Sequence, residues 1–437
     1  MKRIIGVFLL LYLLLPEVVI GQKKINWEIA KSILYTNNIN LKQSFLKEKI
    51  VKNNINIARG NLYPSLSFSA NNQHTMGLVF DPVSGRLITG NQWSNYATGS
   101  LGSSLVIFQG GQKQNVLESE KINLELAQLD TEMLLQELEL QLLQLFTQSL
   151  INRDLWQAAG SQQELSKEQL RQEEELMKSG KRTLIDVGQA KAKHATDNLN
   201  TVNAKNAYEI SILKLRQILD LNDSEEIQLQ SISQDTLLVT GEYNIHNDVY
   251  IKKIDKQLAL QEISIKLARS TYFPTLVFNS SYGTNYSSQR MDGLSGETMA
   301  FWRQINQNRT LYGNLALTLP LFDGNRTKNN LNSAKLTKRN LLYEKEKQFV
   351  DRKQKYAQAE LEYRYSEEEL KALQLAYEVN KTNYEAINER YKIGKNSSID
   401  LYKALTEYNI SEYKLISSRY RVFFQKINLR IIRNMEN

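Results

Sequence analysis

The chain has 437 residues, with 55 Lys and Arg against 47 Asp and Glu, a formal charge of +8, and no cysteine. A charge of that size on so long a chain gives no footprint for nucleic-acid binding. The absence of cysteine excludes disulfides and a lipid-modified N-terminal Cys, so the chain must be stabilised by packing alone.

Lys2 and Arg3 precede an apolar run from Ile4 to Leu15, and Val19 and Gly21 stand at small-residue cleavage positions. Residues 1–21 therefore read as a secretory signal, the run being shorter than the ~20 residues a spanning helix needs. A helix is expected near Trp27–Arg59, followed by a strand pair at about 64–74 and 96–108. In that pair Leu66, Phe68, Ala70, Leu101, Leu105 and Ile107 alternate with Ser65, Ser67, Ser69, Ser100, Ser104 and Val106. This is the period-two pattern of a strand apolar on one face and small and polar on the other.

From about 112 to 179 there is no Pro and only Gly160, which predicts one long helix, a rod of roughly 100 Å at 1.5 Å per residue. Ile122, Leu126, Leu129, Met133, Leu140, Leu143 and Leu150 make a heptad seam. A second seam runs beside it through Leu135, Leu138, Leu142, Leu145 and Trp156. Gly180 and Lys181 end this helix, and a return helix is expected at about 184–220, capped by Thr183. Residues 222–247 read as an irregular equatorial connector with a β-prone stretch at 236–240.

The order then repeats. A helix near Asp248–Arg269 leads to strands at about 273–286 and 310–322, in which Leu276, Phe278, Tyr282, Leu311, Leu315, Leu317, Leu319 and Leu321 take alternate positions. A long helix at about 325–393 ends in Gly394 and Lys395, and a return helix at about 398–433 is capped by Ser397 or Ser398. Polar loops 71–95 and 287–309 close the two strand pairs into hairpins. Ala58-Arg59 through Tyr63-Pro64-Ser65-Leu66 reappears as Ala268-Arg269 through Phe273-Pro274-Thr275-Leu276. Gly110, Gly180 and Asp186 reappear 214 positions on as Gly324, Gly394 and Asp400. The chain thus divides into a first repeat at 22–221, the connector, and a second repeat at 248–437.

Each strand has about the 9–11 residues a tilted membrane strand needs, with Tyr63, Tyr96, Phe108, Tyr272, Phe273 and Phe322 near the ends as an interfacial girdle. Four strands cannot close a barrel, and open edges are not tolerated in lipid, so the strands would be pooled among copies. Three copies would give twelve strands and a lumen. An exported coiled-coil scaffold or adaptor with a soluble β domain would carry the same helices. The uninterrupted face Leu315, Leu317, Leu319, Leu321 separates the two readings, because a small soluble domain could bury it only against a second sheet. An enzyme finds little support: His74, His194 and His246 are not at metal-ligand spacing and no glycine-rich phosphate loop follows a strand, so no metal or cofactor is expected.

In its duplicated order, its Tyr-Pro and Phe-Pro strand starts, its Phe-x-Gly exits at Phe108 and Phe322 and its tips at Gly180…Asp186 and Tyr391…Gly394…Asp400, the chain resembles the TolC family of outer-membrane efflux proteins. The resemblance covers essentially the whole mature chain. It implies a mainly α fold: a homotrimer with a 12-stranded transmembrane β-barrel, four strands per chain, continued by a long periplasmic α-helical barrel. It also implies a passive exit duct of a tripartite efflux pump or type I secretion system, seated in outer-membrane lipid and coupled through a periplasmic adaptor to an inner-membrane transporter. By the same resemblance Asp186, Tyr391 and Asp400 belong to the constriction, with Lys403 where a second lining Asp is expected and Asn396 where an Arg is expected. The tips Gly180, Lys181, Arg182, Gly394, Lys395 and Asn396 would meet the adaptor.

Overall fold

The computed structural model describes residues 23–221, 227–230 and 243–433. The signal at 1–21, the β-prone stretch 236–240 and most of the connector lie outside the described residues. In chain order the elements are β1 (Lys23–Ile25), α1 (Trp27–Asn37), α2 (Ile39–Gly60), β2 (Ser65–Met76), β3 (Val79–Asp81), β4 (Arg86–Ile88), β5 (Trp93–Gln109), α3 (Gln112–Lys178) and α4 (Leu184–Leu219). There follow β6 (Ile227–Leu229), a 3-10 turn (Ile245–Asn247), α5 (Val249–Ser270), β7 (Thr275–Ser287), α6 (Phe301–Gln307), β8 (Thr310–Thr318), α7 (Arg326–Lys392) and α8 (Ser398–Ile432). The described residues form two compact units, each drawing on both repeats: one from those within Met1–Phe45, Asp130–Ile251 and Gln348–Asn437, the other from Leu46–Leu129 and Lys252–Lys347.

The first unit is helical. Its core joins Trp27, Ala30, Ile33 and Leu34 of α1 to Leu138, Leu142, Leu143, Phe146 and Leu150 of α3, Leu215 and Leu219 of α4, and Tyr420 and Ile427 of α8. The core takes members of both sequence seams plus Phe146, whereas Leu140 is left 39% exposed. A helix packed by neighbours on two sides buries the strip between its seams, which neither heptad register predicts by itself. β1 and β6 pair in parallel and lay Ile25 and Leu229 against that core.

The helix expected over 27–59 is broken at Asn38, whose ψ of 123° leaves the helical region. Its side-chain oxygen accepts from the backbone N–H of Asn40 at 3.0 Å and Leu41 at 3.3 Å, and its amide donates to the Ile218 carbonyl in the last turn of α4 at 3.2 Å. Asn38 therefore starts α2 and satisfies the end of α4 at once. Its counterpart, 210 positions on, is Asp248. There the carboxylate accepts from the N–H of Tyr250 at 2.9 Å, from Arg352 Nε at 2.7 Å and from the Tyr243 hydroxyl at 2.9 Å. Both Asp248 and Arg352 are buried.

The second unit carries a four-stranded antiparallel sheet in the order β2-β5-β7-β8, continued by parts of α2, α3, α5 and α7. The loops closing its two hairpins are more ordered than a polar loop suggests. One holds the small β3–β4 hairpin, the other α6. They are tied together where Asp81 accepts from the Ser287 hydroxyl, while the fully buried Gln304 bonds Ser287 N and O at 3.0 and 2.9 Å.

Candidate functional site: the exposed sheet and the hairpin tips

The register sorts the sheet into two faces. Ser65, Ser104, Asn279 and Asn314 stand in one cross-strand row, and Phe68, Leu101, Tyr282 and Leu311 in another. On the polar face Ser104 donates to Asn279 Oδ1 at 2.8 Å and the hydroxyls of Ser69 and Ser100 lie 2.8 Å apart. On the apolar face Leu66, Phe68, Leu311, Leu315 and Leu317 are each at least 60% exposed. None of the four strands contains Asp, Glu, Lys or Arg. An uncharged sheet with one broadly exposed apolar face is built for lipid on that side and water on the other.

Two sequence expectations change here. Ile107 leaves the apolar alternation, because a bulge between Val106 and Phe108 puts Phe108 opposite Leu276 instead. The last strand, expected to reach 322, ends at Thr318, leaving Leu319, Leu321 and Phe322 without a partner strand and 51%, 90% and 83% exposed.

The hairpin tips lie in the helical unit. Gly180 and Gly394 both have φ +72°, a left-handed conformation that any side chain would strain. The next N–H groups close back on the ending helices, Lys181 N to Leu176 O at 2.9 Å and Lys395 N to Arg390 O at 2.8 Å. Each return helix opens with a capping box, Thr183 with Asp186 and Ser397 with Asp400. Hydroxyl and backbone donors of Thr183 and of Ser397 hold the two carboxyls below their ordinary value, with Ser398 adding to Asp186 and Asn396 and Lys403 to Asp400. Ser398 does not cap. Its hydroxyl donates to Asp186 Oδ1 at 2.8 Å and so joins the two tips.

Tyr391 is buried, but its partner is one the sequence reading missed. Its hydroxyl donates to Glu173 Oε1 at 2.9 Å, Arg182 Nε lies 3.2 Å from Glu173 Oε2, and the Arg182 guanidinium sits 4.2 Å over the Tyr391 ring while donating to the Tyr391 carbonyl at 3.2 Å. Burial and the Glu173 carboxylate push the Tyr391 hydroxyl well above its ordinary value, so it stays a donor at any working pH. The cation of this network thus comes from Arg182 on the first hairpin, and position 396 contributes only an amide. Lys181, Lys395, Asp400 and Lys403 are exposed, as are the apolar Leu184, Ile185, Ile393 and Ile399 around them. The overlooked signal was periodic: Tyr377, Tyr384 and Tyr391 recur every seven residues, and Gln169 and Glu173, four apart, face the last two.

The family model for outer membrane efflux proteins matches residues 32–220 and 246–432, which takes in both repeats and their exposed sheet. The chain belongs to the outer membrane efflux protein family. This efflux protein shares its fold with solved channels at low identity. CusC has 14% identity and a TM-score of 0.81 over 93% of this chain and 91% of that one. The CmeC outer membrane channel of Campylobacter jejuni has 18% identity and a TM-score of 0.80 over 93% and 85%. VceC of Vibrio cholerae has 14% identity and a TM-score of 0.78 over 93% and 95%. No curated protein matches the chain by sequence. Proteins of this family are channels of the outer membrane with a large periplasmic helical portion, trimeric and working with periplasmic adaptors and inner-membrane pumps. This efflux protein is itself an outer-membrane channel, and the coiled-coil scaffold reading is set aside.

Proposed function

We propose that three copies of this efflux protein pool their strands into one twelve-stranded barrel, which conducts solutes outward passively, without catalysis. The observation that carries this reading is the sheet: four strands, an apolar and a polar face, and two open edges at β2 and β8. Open edges cannot persist in lipid, and twelve strands leave a lumen that the small side chains of the polar face would line. The hairpin tips around Gly180, Lys181, Arg182, Gly394, Lys395 and Asn396 dock a periplasmic adaptor, in keeping with the exposed Leu184, Ile185, Ile393 and Ile399 beside them. The adaptor links the channel to an inner-membrane transporter, which selects the cargo.

Asp186, Tyr391, Asp400 and Lys403 form the gate, with Arg182 and Glu173 as its latch. Light scattering on the detergent-extracted protein tests the assembly: a trimer that conducts in planar bilayers is expected, and a conducting monomer would overturn it. Loss of export in a deletion strain, restored by the intact chain but not by one with altered tips, tests the docking.

A further inference from the structure

The sequence duplication reaches down to single hydrogen-bonded rows. Shifting the β2–β5 hairpin by 210 positions on its first strand and 214 on its second turns Ser65 opposite Ser104 into Thr275 opposite Thr318, and Phe68 opposite Leu101 into Phe278 opposite Leu315. Every one of the observed β7–β8 pairs follows from this rule, as far as Gln73 opposite Tyr96 and Gly283 opposite Thr310. The chain also contains one junction between repeats, β5 against β7. The mirror junction, β8 against a β2, has no partner strand within the chain.

We propose that β8 of one copy pairs with β2 of a second copy in the register dictated by β5–β7, so that Thr318 lies opposite Ser69 and Leu319 opposite Phe68 of the neighbour. This inference rests on the trimeric channel reading and adds the register of its seam. The parent pairs are Ser104 with Asn279 and Leu105 with Phe278. Face chemistry agrees: Leu317 falls opposite Ala70 and Leu311 opposite Met76, while Asn314 falls opposite Gln73 and Tyr312 opposite Thr75. Leu315 opposite Asn72, Ala316 opposite Asn71 and Gly313 opposite His74 are the unlike pairs. A slip of one residue would turn every apolar side chain to the wrong face, but a slip of two would not, so patterning alone leaves the seam open and the repeat closes it.

Two independent features fit the same seam. Residues 105–109 of β5 lie beyond the end of β2 and pair with β7 alone. Their equivalents, 319–323, lack that neighbour, which is why β8 stops at Thr318 and leaves three large apolar side chains bare. In the assembled seam β8 extends past a bulge at Leu321, the counterpart of Ile107, and brings Phe322 opposite Leu66. Pro320 beside that bulge is tolerated there. The second feature is a pair of glycines. A Cβ on Gly110 would lie 2.7 Å from the Ser270 carbonyl and 2.8 Å from the Phe273 side chain, whereas Gly324, also left-handed at φ +67° against +57°, has nothing within 4 Å. The equivalents of Ser270 and Phe273 are Gly60 and Tyr63. Gly324 is the close-approach glycine of the seam, and the neighbour's Gly60 and Tyr63 fill its open space.

The native chain has no cysteine, so paired substitutions report the register directly. Directly opposed antiparallel residues have Cα atoms about 4.5–5.5 Å apart, within disulfide reach, whereas diagonal neighbours stand about 7–8 Å apart. Within one chain β2 and β8 are separated by two strands, so a bond between them must join two copies. The full-length protein carrying Ser69→Cys with Thr318→Cys should form covalent dimers and trimers on non-reducing gels after mild oxidation. Ser67→Cys or Asn71→Cys, each with Thr318→Cys, should lose that product, and Ser104→Cys with Asn279→Cys should cross-link only within the chain. A trimer by light scattering that cross-links only through a slipped pair, or through none, overturns the register and leaves the channel reading standing. A chain that stays monomeric in detergent overturns both.

Discussion

Tyr391, Glu173 and Arg182 meet from two helices and a turn, the Tyr391 hydroxyl and the Arg182 guanidinium each engaging one oxygen of the buried Glu173 carboxylate. Removing the hydroxyl with Tyr391→Phe deletes a hydrogen bond to a charged acceptor, a loss of about 1.5–3 kcal/mol. Glu173 keeps Arg182, so the hairpins should stay folded while the latch weakens. Planar-bilayer recordings should show more frequent or larger openings than the parent, and unchanged closure would place the latch elsewhere. Asp186 and Asp400 act differently, since both cap a helix. Their lowered folded values mean that the cap stabilisation is complete above the unfolded value near 4 and is lost as pH falls through the folded value. Protection factors for amide exchange at the first turns of α4 and α8, corrected for the intrinsic exchange rate at each pH, should therefore be constant between about pH 5 and 8 and fall only below about 4. Asp186→Ala with Asp400→Ala should abolish that acid dependence. Because Asp400 also faces Lys403, Lys403→Asp should raise cation preference and add block by multivalent cations, with ion selectivity in bilayers as the measurement.

Among elements, the helix junctions and the sheet face different demands. Asp248 follows the connector, starts α5 and neutralises the buried Arg352, so Asp248→Ala leaves a guanidinium inside without its counter-charge. Such a loss costs about 3–5 kcal/mol, and the melting temperature should fall accordingly. Asp248→Asn, which keeps the cap but not the charge, should fall in between. On the sheet the same magnitude comes from lipid. Leu315→Arg would place a cation in the exposed apolar face of β8 and cost about 2–4 kcal/mol near the bilayer midplane. Loss of the heat-modifiable oligomer from outer membranes is the expected result, while Asn314→Arg on the polar face should insert normally and change conductance instead.

At the scale of the whole molecule, charge is partitioned as strictly as shape. The four strands carry no Asp, Glu, Lys or Arg, although such residues make up 23% of the chain. The helices of the sheet-bearing unit hold cross-helix ion pairs such as Lys256 with Glu125 and Lys338 with Glu262. Each repeat supplies one strand hairpin and one helical hairpin, and neither hairpin is complete alone. The sheet lacks two edge partners, and the tips present exposed Leu184, Ile185 and Ile399. Gly180→Val would strain a left-handed turn by roughly 1–2 kcal/mol. Export should drop while the protein remains abundant in the membrane, the two being separated by quantifying channel in outer membranes alongside efflux of a reporter substrate.

Features that depend on neighbours along the chain were legible in the residues alone. Period-two alternation marked the strands to within a few residues, the absence of Pro marked the long helices, and the Gly-Lys pairs marked the hairpin tips, because each of these signals acts through backbone geometry over a single turn or strand. The duplication carried the fold, since residues 210 or 214 apart repeat the same local chemistry. Tertiary structure decided what depends on residues far apart. Ile107 lost its place in the alternation because the partner strand imposes a bulge, and Asn38 broke a helix because the end of α4 needed a donor. Glu173 became the partner of Tyr391 because helix packing, not spacing, brings residues 218 positions apart to hydrogen-bonding distance. The end of β8 at Thr318 belongs to the same class: a strand ends where its partner ends, and no local pattern records where that is.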